Sequence, residues 1–132
     1  METGNTGTGT ILALQKSAAM LKNISFILKQ KGYEVYITDN LESAESCLTE
    51  NDVKVIIIGI DFFSDFIPEH KNKSLHRDIP LLLTATAHEQ LMLEEKSALR
   101  ETAVITKPFS ADTLIKTIKD LLQDTQEEIK NV

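Results

Sequence analysis

Residues 53–60 read VKVIIIGI and form the most strand-like stretch of the chain. The run from Val55 to Ile58 is apolar and β-branched, with none of the polar alternation of a half-exposed strand. A strand that is apolar on both faces must be covered on both sides, which is typical of a parallel sheet flanked by helices. This stretch therefore predicts an α/β fold with the strand in the interior of the sheet.

Weaker strand patterns on either side of this stretch alternate with amphipathic helical patterns. Ser17 stands at the N-cap position of the first helix, Gly32 ends that helix, and Ser110 is the expected N-cap of the last one. This alternation predicts parallel βαβ units joined by right-handed crossovers. The expected fold is a flavodoxin-like, doubly wound five-stranded parallel sheet of order 2-1-3-4-5 with helices on both faces. The other predicted strands are Thr10–Leu14, Tyr33–Thr38, Ile79–Thr84 and Ala103–Thr106, and the later predicted helices are His88–Leu99 and Ala111–Glu128.

Length sets the domain organisation. The 132 residues suffice for one domain with one hydrophobic core. We expect residues 1–9 to be a flexible segment, residues 10–124 to form the domain, and residues 125–132 to be a polar tail or an extension of the last helix. Pro68 and the polar run HKNKSLHR at residues 70–77 predict that the third helix is short or irregular.

Charge and cysteine content exclude several classes of function. Twenty acidic and fourteen basic residues give a net charge of −6, which argues against a nucleic-acid partner because phosphate contacts need a basic face. Cys47 is the only cysteine, so a four-cysteine zinc site is excluded and a cytoplasmic location is favoured. No apolar run approaches the roughly 20 residues of a membrane span, so no membrane partner is expected. His70, His76 and His88 lack a repeated ligand spacing, and no metal site is expected from them.

Three motifs of this chain match motifs of a known protein family, and they occur in the same order along the sequence. They are GYEV at residues 32–35, IPLLLTA at residues 79–85, and Lys107–Pro108–Phe109 followed by a Ser-capped amphipathic helix. In this order, from residue 10 to about residue 124, the chain resembles the receiver domains of two-component response regulators, the CheY-like domains. The resemblance implies the fold deduced above and a role in phosphorelay signal transduction.

The resemblance also implies a phosphorylation pocket, and this chain departs from it at most positions. In receivers, two acidic residues after the first strand help to hold Mg²⁺, and an Asp at the end of the third strand accepts the phosphoryl group. A Thr or Ser after the fourth strand and a Lys after the fifth contact that group, and an aromatic residue three before the Lys rotates on phosphorylation. In this chain these positions are Gln15 and Lys16, Gly59, Ala85, Lys107 (followed by Pro108), and Val104.

These replacements predict that the usual phosphorylation chemistry is lost. Mg²⁺ prefers carboxylate and other oxygen ligands, and Lys16 brings a positive charge to its position. Gly59 has no side-chain oxygen to accept a phosphoryl group. We therefore expect no Mg²⁺ binding, no other cofactor, no catalytic residue and no enzymatic activity at this pocket. Thr84 and Thr86 flank Ala85 and offer a hydroxyl in its place, but hydroxyls at strand ends usually bond nearby backbone groups, and we expect that here.

Asp61 offers two alternatives. Side-chain alternation along the third strand would point it to the same side as Gly59, about 7 Å farther on. It is then either a displaced phosphoacceptor in a working receiver or a salt-bridge partner of Lys16 or Lys107. A third reading makes the pocket a small-anion or cofactor site, with both lysines and the N-terminus of the fourth helix as ligands.

Two apolar clusters are candidate partner surfaces. Consecutive helical residues are about 100° apart, so Leu91, Met92 and Leu93 cannot all face the core, and we expect part of this set to form a partner face. Phe62, Phe63 and Phe66 either form a docking patch or pack a short third helix. The sequence thus predicts a degenerate receiver that acts through protein contacts. The expected partners are a histidine kinase, an output domain or a second copy of the chain.

Overall fold

Five parallel strands form one sheet in the order β2-β1-β3-β4-β5, which confirms the predicted topology. The computed structural model describes residues 9–62, 79–89 and 102–130. The central position of β3 confirms the prediction made from its two apolar faces. The strands are β1 (Thr10–Leu14), β2 (Glu34–Thr38), β3 (Val53–Gly59), β4 (Leu81–Thr86) and β5 (Thr102–Lys107).

Helices cover both faces of the sheet, and local capping sets their ends. The described helices with full bounds are α1 (Ala18–Gln30), α2 (Leu41–Glu50) and the C-terminal helix (Ala111–Lys130). The Ser17 hydroxyl accepts a hydrogen bond from the Met20 N–H at 3.1 Å, and the Ser110 hydroxyl accepts one from the Thr113 N–H at 3.1 Å. Gly32 follows α1 with a φ of 93°. All three predicted caps are confirmed.

The hydrophobic core consists of one layer on each face of the sheet. On one face α1 and the C-terminal helix pack against Ala13, Ile57 and Leu82, and on the other α2 packs against Leu14 and Ile58. Each fully buried Ile or Leu side chain contributes about 1.5–3 kcal/mol relative to an exposed one. Because the two core layers are made by alternating residues, they also fix which strand residues share a face where the strands end.

Some boundaries differ from the predicted ones. Strand β4 begins at Leu81, just after Pro80, and reaches Thr86 rather than Thr84. The C-terminal helix continues to Lys130, so residues 125–130 are helical. No helix in the described parts of the chain is long and apolar enough to cross a bilayer. The predicted third helix beyond residue 62 and the partner face of Leu91, Met92 and Leu93 lie outside the described residues, as do Phe63, Phe66, His70 and His76.

Candidate functional site

The candidate site lies at the carboxyl ends of three adjacent strands. Leu14 of β1 pairs with Ile58, so Gln15 follows β1 beside Gly59, and Gly59 pairs in turn with Thr84 of β4. Alternation from Ala13, Ile57 and Leu82 places all three on the face covered by α1. We call these residues the Gln15–Gly59–Thr84 cluster.

The Gln15 side chain spans this cluster. Gln15 is 3% exposed, and its Oε1 accepts a hydrogen bond from the Thr84 hydroxyl at 3.2 Å. Since β3 separates β1 from β4, this bond joins two strands that are not neighbours. A Cβ on residue 59 would lie 2.9 Å from Oε1 and 3.4 Å from Cδ of Gln15, so the glutamine amide occupies the space of a side chain at Gly59.

The cluster contains only uncharged groups. The Gln15 amide stands where the receiver resemblance implies an acidic ligand, and Gly59 stands where it implies the acceptor carboxylate. The Gln15 Nε2 is buried and has no hydrogen-bond partner within the described structure.

The hydroxyl of the cluster comes from Thr84. Ala85 is fully buried and alternates onto the opposite face of the sheet, with Leu81 and Leu83. The expectation that the Thr84 hydroxyl bonds nearby backbone is therefore wrong, since it donates to the Gln15 side chain instead. Strand register decides this contact, and register is not visible in the local sequence.

Asp61 does not share the orientation of Gly59. Strand β3 ends at Gly59, and residues 60–62 are helical, so strand alternation no longer applies at Asp61. Its side chain is exposed, and within the described residues no ion pair joins Asp61 to Lys16 or Lys107. The expected salt bridge is therefore absent among the described residues, and an exposed carboxylate such as Asp61 gains little from pairing over hydration.

Lys16 interacts with an aromatic ring instead. Its ammonium lies 5.3 Å from the centroid of the Phe62 ring, which is within the range of a cation–π contact. Phe62 is 7% exposed and belongs to the core layer beneath α2. For this phenylalanine the packing interpretation holds, and the Lys16 ammonium lies over its ring.

The remaining receiver positions lie on or after β5. Lys107 ends the strand opposite Thr86 and is half-buried, and its bond to Pro108 is cis. Val104 is 37% exposed and provides no aromatic ring at the switch position. Thus Gln15 and Gly59 meet in one cluster, whereas Ala85 lies on the other face and Val104 at the surface of an edge strand.

A capping box begins the helix that follows β4. The Thr86 N–H donates to Glu89 Oε1 at 2.8 Å, and the Glu89 N–H donates to the Thr86 hydroxyl at 3.1 Å. The expected use of the Thr86 hydroxyl for nearby backbone is therefore confirmed. The pKa of the Glu89 carboxyl lies below its usual value, mainly because the Thr86 N–H stabilises the carboxylate, and Lys107 lowers it further. The TAHE motif at residues 86–89 is a capping-box pattern that the sequence contains but that was not among the predicted caps.

The capping box gives a testable pH dependence. Thr86→Ala is expected to lower the free energy of unfolding by about 1 kcal/mol at neutral pH. The pKa of Glu89 is lower in the folded chain than in the unfolded chain. The contribution of its carboxylate to the free energy of unfolding is therefore fully present above the unfolded-state pKa of about 4.3, and it is lost as the pH falls through the lower folded-state pKa. Urea unfolding between neutral pH and about pH 3 should show this loss, and Glu89→Gln should remove it. Thr49→Ala, at an exposed site on α2, is the control, and equal effects of the two alanine variants would contradict the assignment.

Other titratable side chains do not extend the site. In residues 9–62, 79–89 and 102–130, no three His, Cys, Asp or Glu side chains are arranged to hold a metal ion. His88 is exposed beside the capping box. Cys47 is half-buried on α2, and burial raises the pKa of its thiol, which makes it a poorer nucleophile.

Comparison with known proteins identifies the fold. No family model matches the chain. The chain is 28% identical over 124 residues to the phosphate regulon transcriptional regulatory protein PhoB of Escherichia coli strain K12, covering 86% of this chain and 51% of PhoB. The chain thus spans about half the length of the curated relatives that it matches.

Solved structures agree with this sequence relation. Chemotaxis response regulator CheY4 of Vibrio cholerae has a TM-score of 0.77 at 24% identity, covering 86% of this chain and 98% of that one. The signal receiver domain of a Bacteroides fragilis response regulator gives 0.76 at 19%, covering 86% and 96%. The receiver domain of sensor histidine kinase PA1611 of Pseudomonas aeruginosa, with magnesium coordinated in its active site cleft, gives 0.72 at 16%, covering 86% and 97%. The chain has the CheY-like receiver fold.

Proposed function

From this fold we propose that the chain is a receiver-like signalling domain that is not phosphorylated at the usual position and acts through protein contacts. We further propose that it is not an enzyme, and that it works in the cytoplasm with a kinase, an output domain or another copy as partner. One observation supports the proposal above all. The space that an acceptor side chain at residue 59 would need is occupied by the buried Gln15 amide.

The charges around the site support the same conclusion. Formation of an acyl phosphate needs a carboxylate nucleophile and a cation that neutralises the incoming phosphoryl group. Gly59 provides no carboxylate, and Gln15 and Lys16 supply an amide and a positive charge where two acidic ligands would be needed. Lys16 adds a positive charge next to the position that Mg²⁺ would need, and this charge disfavours a cation there.

A phosphodonor assay tests this proposal. The purified chain is incubated with acetyl phosphate and Mg²⁺, quenched in acid, and measured by intact-mass spectrometry, with a phosphorylatable receiver as the positive control. We expect the chain to keep its mass while the control gains one phosphoryl group, because residue 59 has no acceptor oxygen. A phosphoryl group on this chain under the same conditions would contradict the proposal.

Asp61 is the second candidate, because it is exposed just beyond β3 and has no ion pair with the lysines of the site. An added phosphoryl group that disappears in Asp61→Ala would show a displaced acceptor and a working relay. An added group that persists in Asp61→Ala would place the modification elsewhere and would exclude both readings of this pocket. The triple variant Gln15→Asp, Lys16→Asp, Gly59→Asp introduces the three carboxylates of a receiver pocket. If this variant is phosphorylated and the wild-type chain is not, the residues at these three positions are what prevents phosphorylation.

A further inference from the structure

Charge is separated between the two helices that follow β1 and β2. Residues 10–33 contain four lysines and no acidic residue, although the whole chain has a net charge of −6. Residues 39–52 contain five acidic residues and no basic one. The first segment contains α1 and the second contains α2, which lie on opposite faces of the sheet. The domain therefore has a basic helix on one side and an acidic helix on the other.

The exposed face of α1 has an aromatic residue between two of its lysines. Phe26 is 63% exposed, the most exposed large hydrophobic side chain of the described residues. Lys22 precedes it by four residues and Lys29 follows it by three, so the three side chains share one helical face, and both lysines are exposed. We call Lys22, Phe26 and Lys29 the α1 knob.

The acidic helix borders a concave surface. A shallow, open groove of about 410 Å³ lies between α2 and the edge strand β2. The Tyr36 ring and the half-buried Cys47 thiol provide its apolar part, and the exposed Glu42 and Glu50 lie along it. We call this surface the α2 groove. It is lined by Tyr36, Glu42, Ser43, Ser46, Cys47, Glu50 and Asn51.

The knob and the groove match in charge, spacing and chemistry. At 1.5 Å per residue, the backbones of Lys22 and Lys29 are about 10 Å apart along α1, and those of Glu42 and Glu50 are about 12 Å apart along α2. Aromatic rings pack favourably against a second aromatic ring and against sulfur, which Tyr36 and Cys47 supply. Within the described residues, none of these four charged side chains has an ion pair. Both surfaces thus present charges that a partner can satisfy.

We propose that the α1 knob of one copy docks into the α2 groove of a second copy. The two surfaces lie on opposite faces of one domain, so they cannot meet within a chain, and every copy has one of each. Docking is then head-to-tail, and repeated docking builds chains of copies rather than closed two-fold dimers. The inference uses surfaces remote from the Gln15–Gly59–Thr84 cluster and does not depend on whether the chain is phosphorylated.

Sedimentation velocity over a concentration series tests the association. We expect the weight-average sedimentation coefficient to rise continuously up to about 1 mM protein at low salt, as for a weak open-ended assembly. Raising the ionic strength from about 0.05 M to about 0.5 M should weaken the association about tenfold, because the lysine–glutamate contacts are solvent-accessible. A chain that stays monomeric over the whole series at low salt would overturn the proposal.

A mixing experiment identifies the surfaces. One variant loses the knob (Lys22→Ala, Phe26→Ala, Lys29→Ala) and another loses the groove (Glu42→Lys, Glu50→Lys). Each should be monomeric alone, and an equimolar mixture should form one-to-one dimers and nothing larger, since only one knob and one groove remain intact between them. Circular dichroism melts verify that both variants fold.

Three outcomes would contradict head-to-tail docking. Wild-type association that survives in both variants places the contact elsewhere, for example on the side of β5. If the wild-type chain forms a closed dimer but the two variants form no dimer when mixed, the contact is a two-fold one. If the wild-type chain does not associate with itself but binds an added acidic or basic protein, the two surfaces bind a different partner.

Discussion

Replacing Gly59 with alanine is expected to lower the free energy of unfolding by about 1 kcal/mol, because overpacking against Gln15 outweighs the smaller backbone entropy that alanine loses on folding. The added Cβ would lie 2.9 Å from the Gln15 Oε1, so the glutamine side chain must move. Gln15 is buried, and moving its side chain also breaks its hydrogen bond with the Thr84 hydroxyl. Urea unfolding monitored by circular dichroism measures the change.

A double-mutant cycle separates the collision from other effects of the substitution. In Gln15→Ala the space above residue 59 is free, so the further change Gly59→Ala should cost far less there than in the wild-type chain. We expect a coupling free energy of about 1–2 kcal/mol between positions 15 and 59. Additive effects of the two substitutions would show that the amide does not occupy this space.

Truncation of the central strand is expected to have the largest effect on stability. Ile57 is fully buried in β3 and packs in the core layer beneath α1 and the C-terminal helix. Ile57→Ala should lower the free energy of unfolding by about 2–5 kcal/mol, because it removes apolar contacts and leaves a cavity between three elements. For a domain of this size that is a large part of the total stability. Chemical denaturation at constant pH gives the value.

Phe26→Ala is the matched control for this experiment. Phe26 is larger than Ile57 but 63% exposed, so its loss should change the free energy of unfolding by no more than about 0.5 kcal/mol. Burial, not side-chain size, is then what separates the two variants. Equal losses at both positions would contradict the core described above. A stable Phe26→Ala chain also provides a folded reagent for the association experiments on the α1 knob.

The architecture could be predicted because local signals agreed with one another. The apolar run of β3 required cover on both faces, and the caps at Ser17 and Ser110 together with Gly32 fixed the helix ends. Each of these signals depends on residues a few positions apart. Strand order followed from their alternation and from the handedness of parallel crossovers.

The site could be predicted only in part, because its contacts join residues far apart in the chain. Lost carboxylates and the lack of an acceptor oxygen at Gly59 were visible in the sequence. The bond between Gln15 and Thr84 spans 69 residues and depends on the relative register of three strands. The predicted orientation of the Asp61 side chain was wrong because β3 ends at Gly59, two residues before Asp61, and residues 60–62 are helical. No local pattern marks that end.

The position of the Gln15 amide over Gly59 limits how this protein can change in evolution. A single substitution that introduces aspartate at residue 59 would place a carboxylate in an occupied volume beside a buried amide, and the folded state would lose stability before any chemistry was gained. The two positions are therefore coupled: a carboxylate at residue 59 is compatible with this packing only if residue 15 is shortened as well.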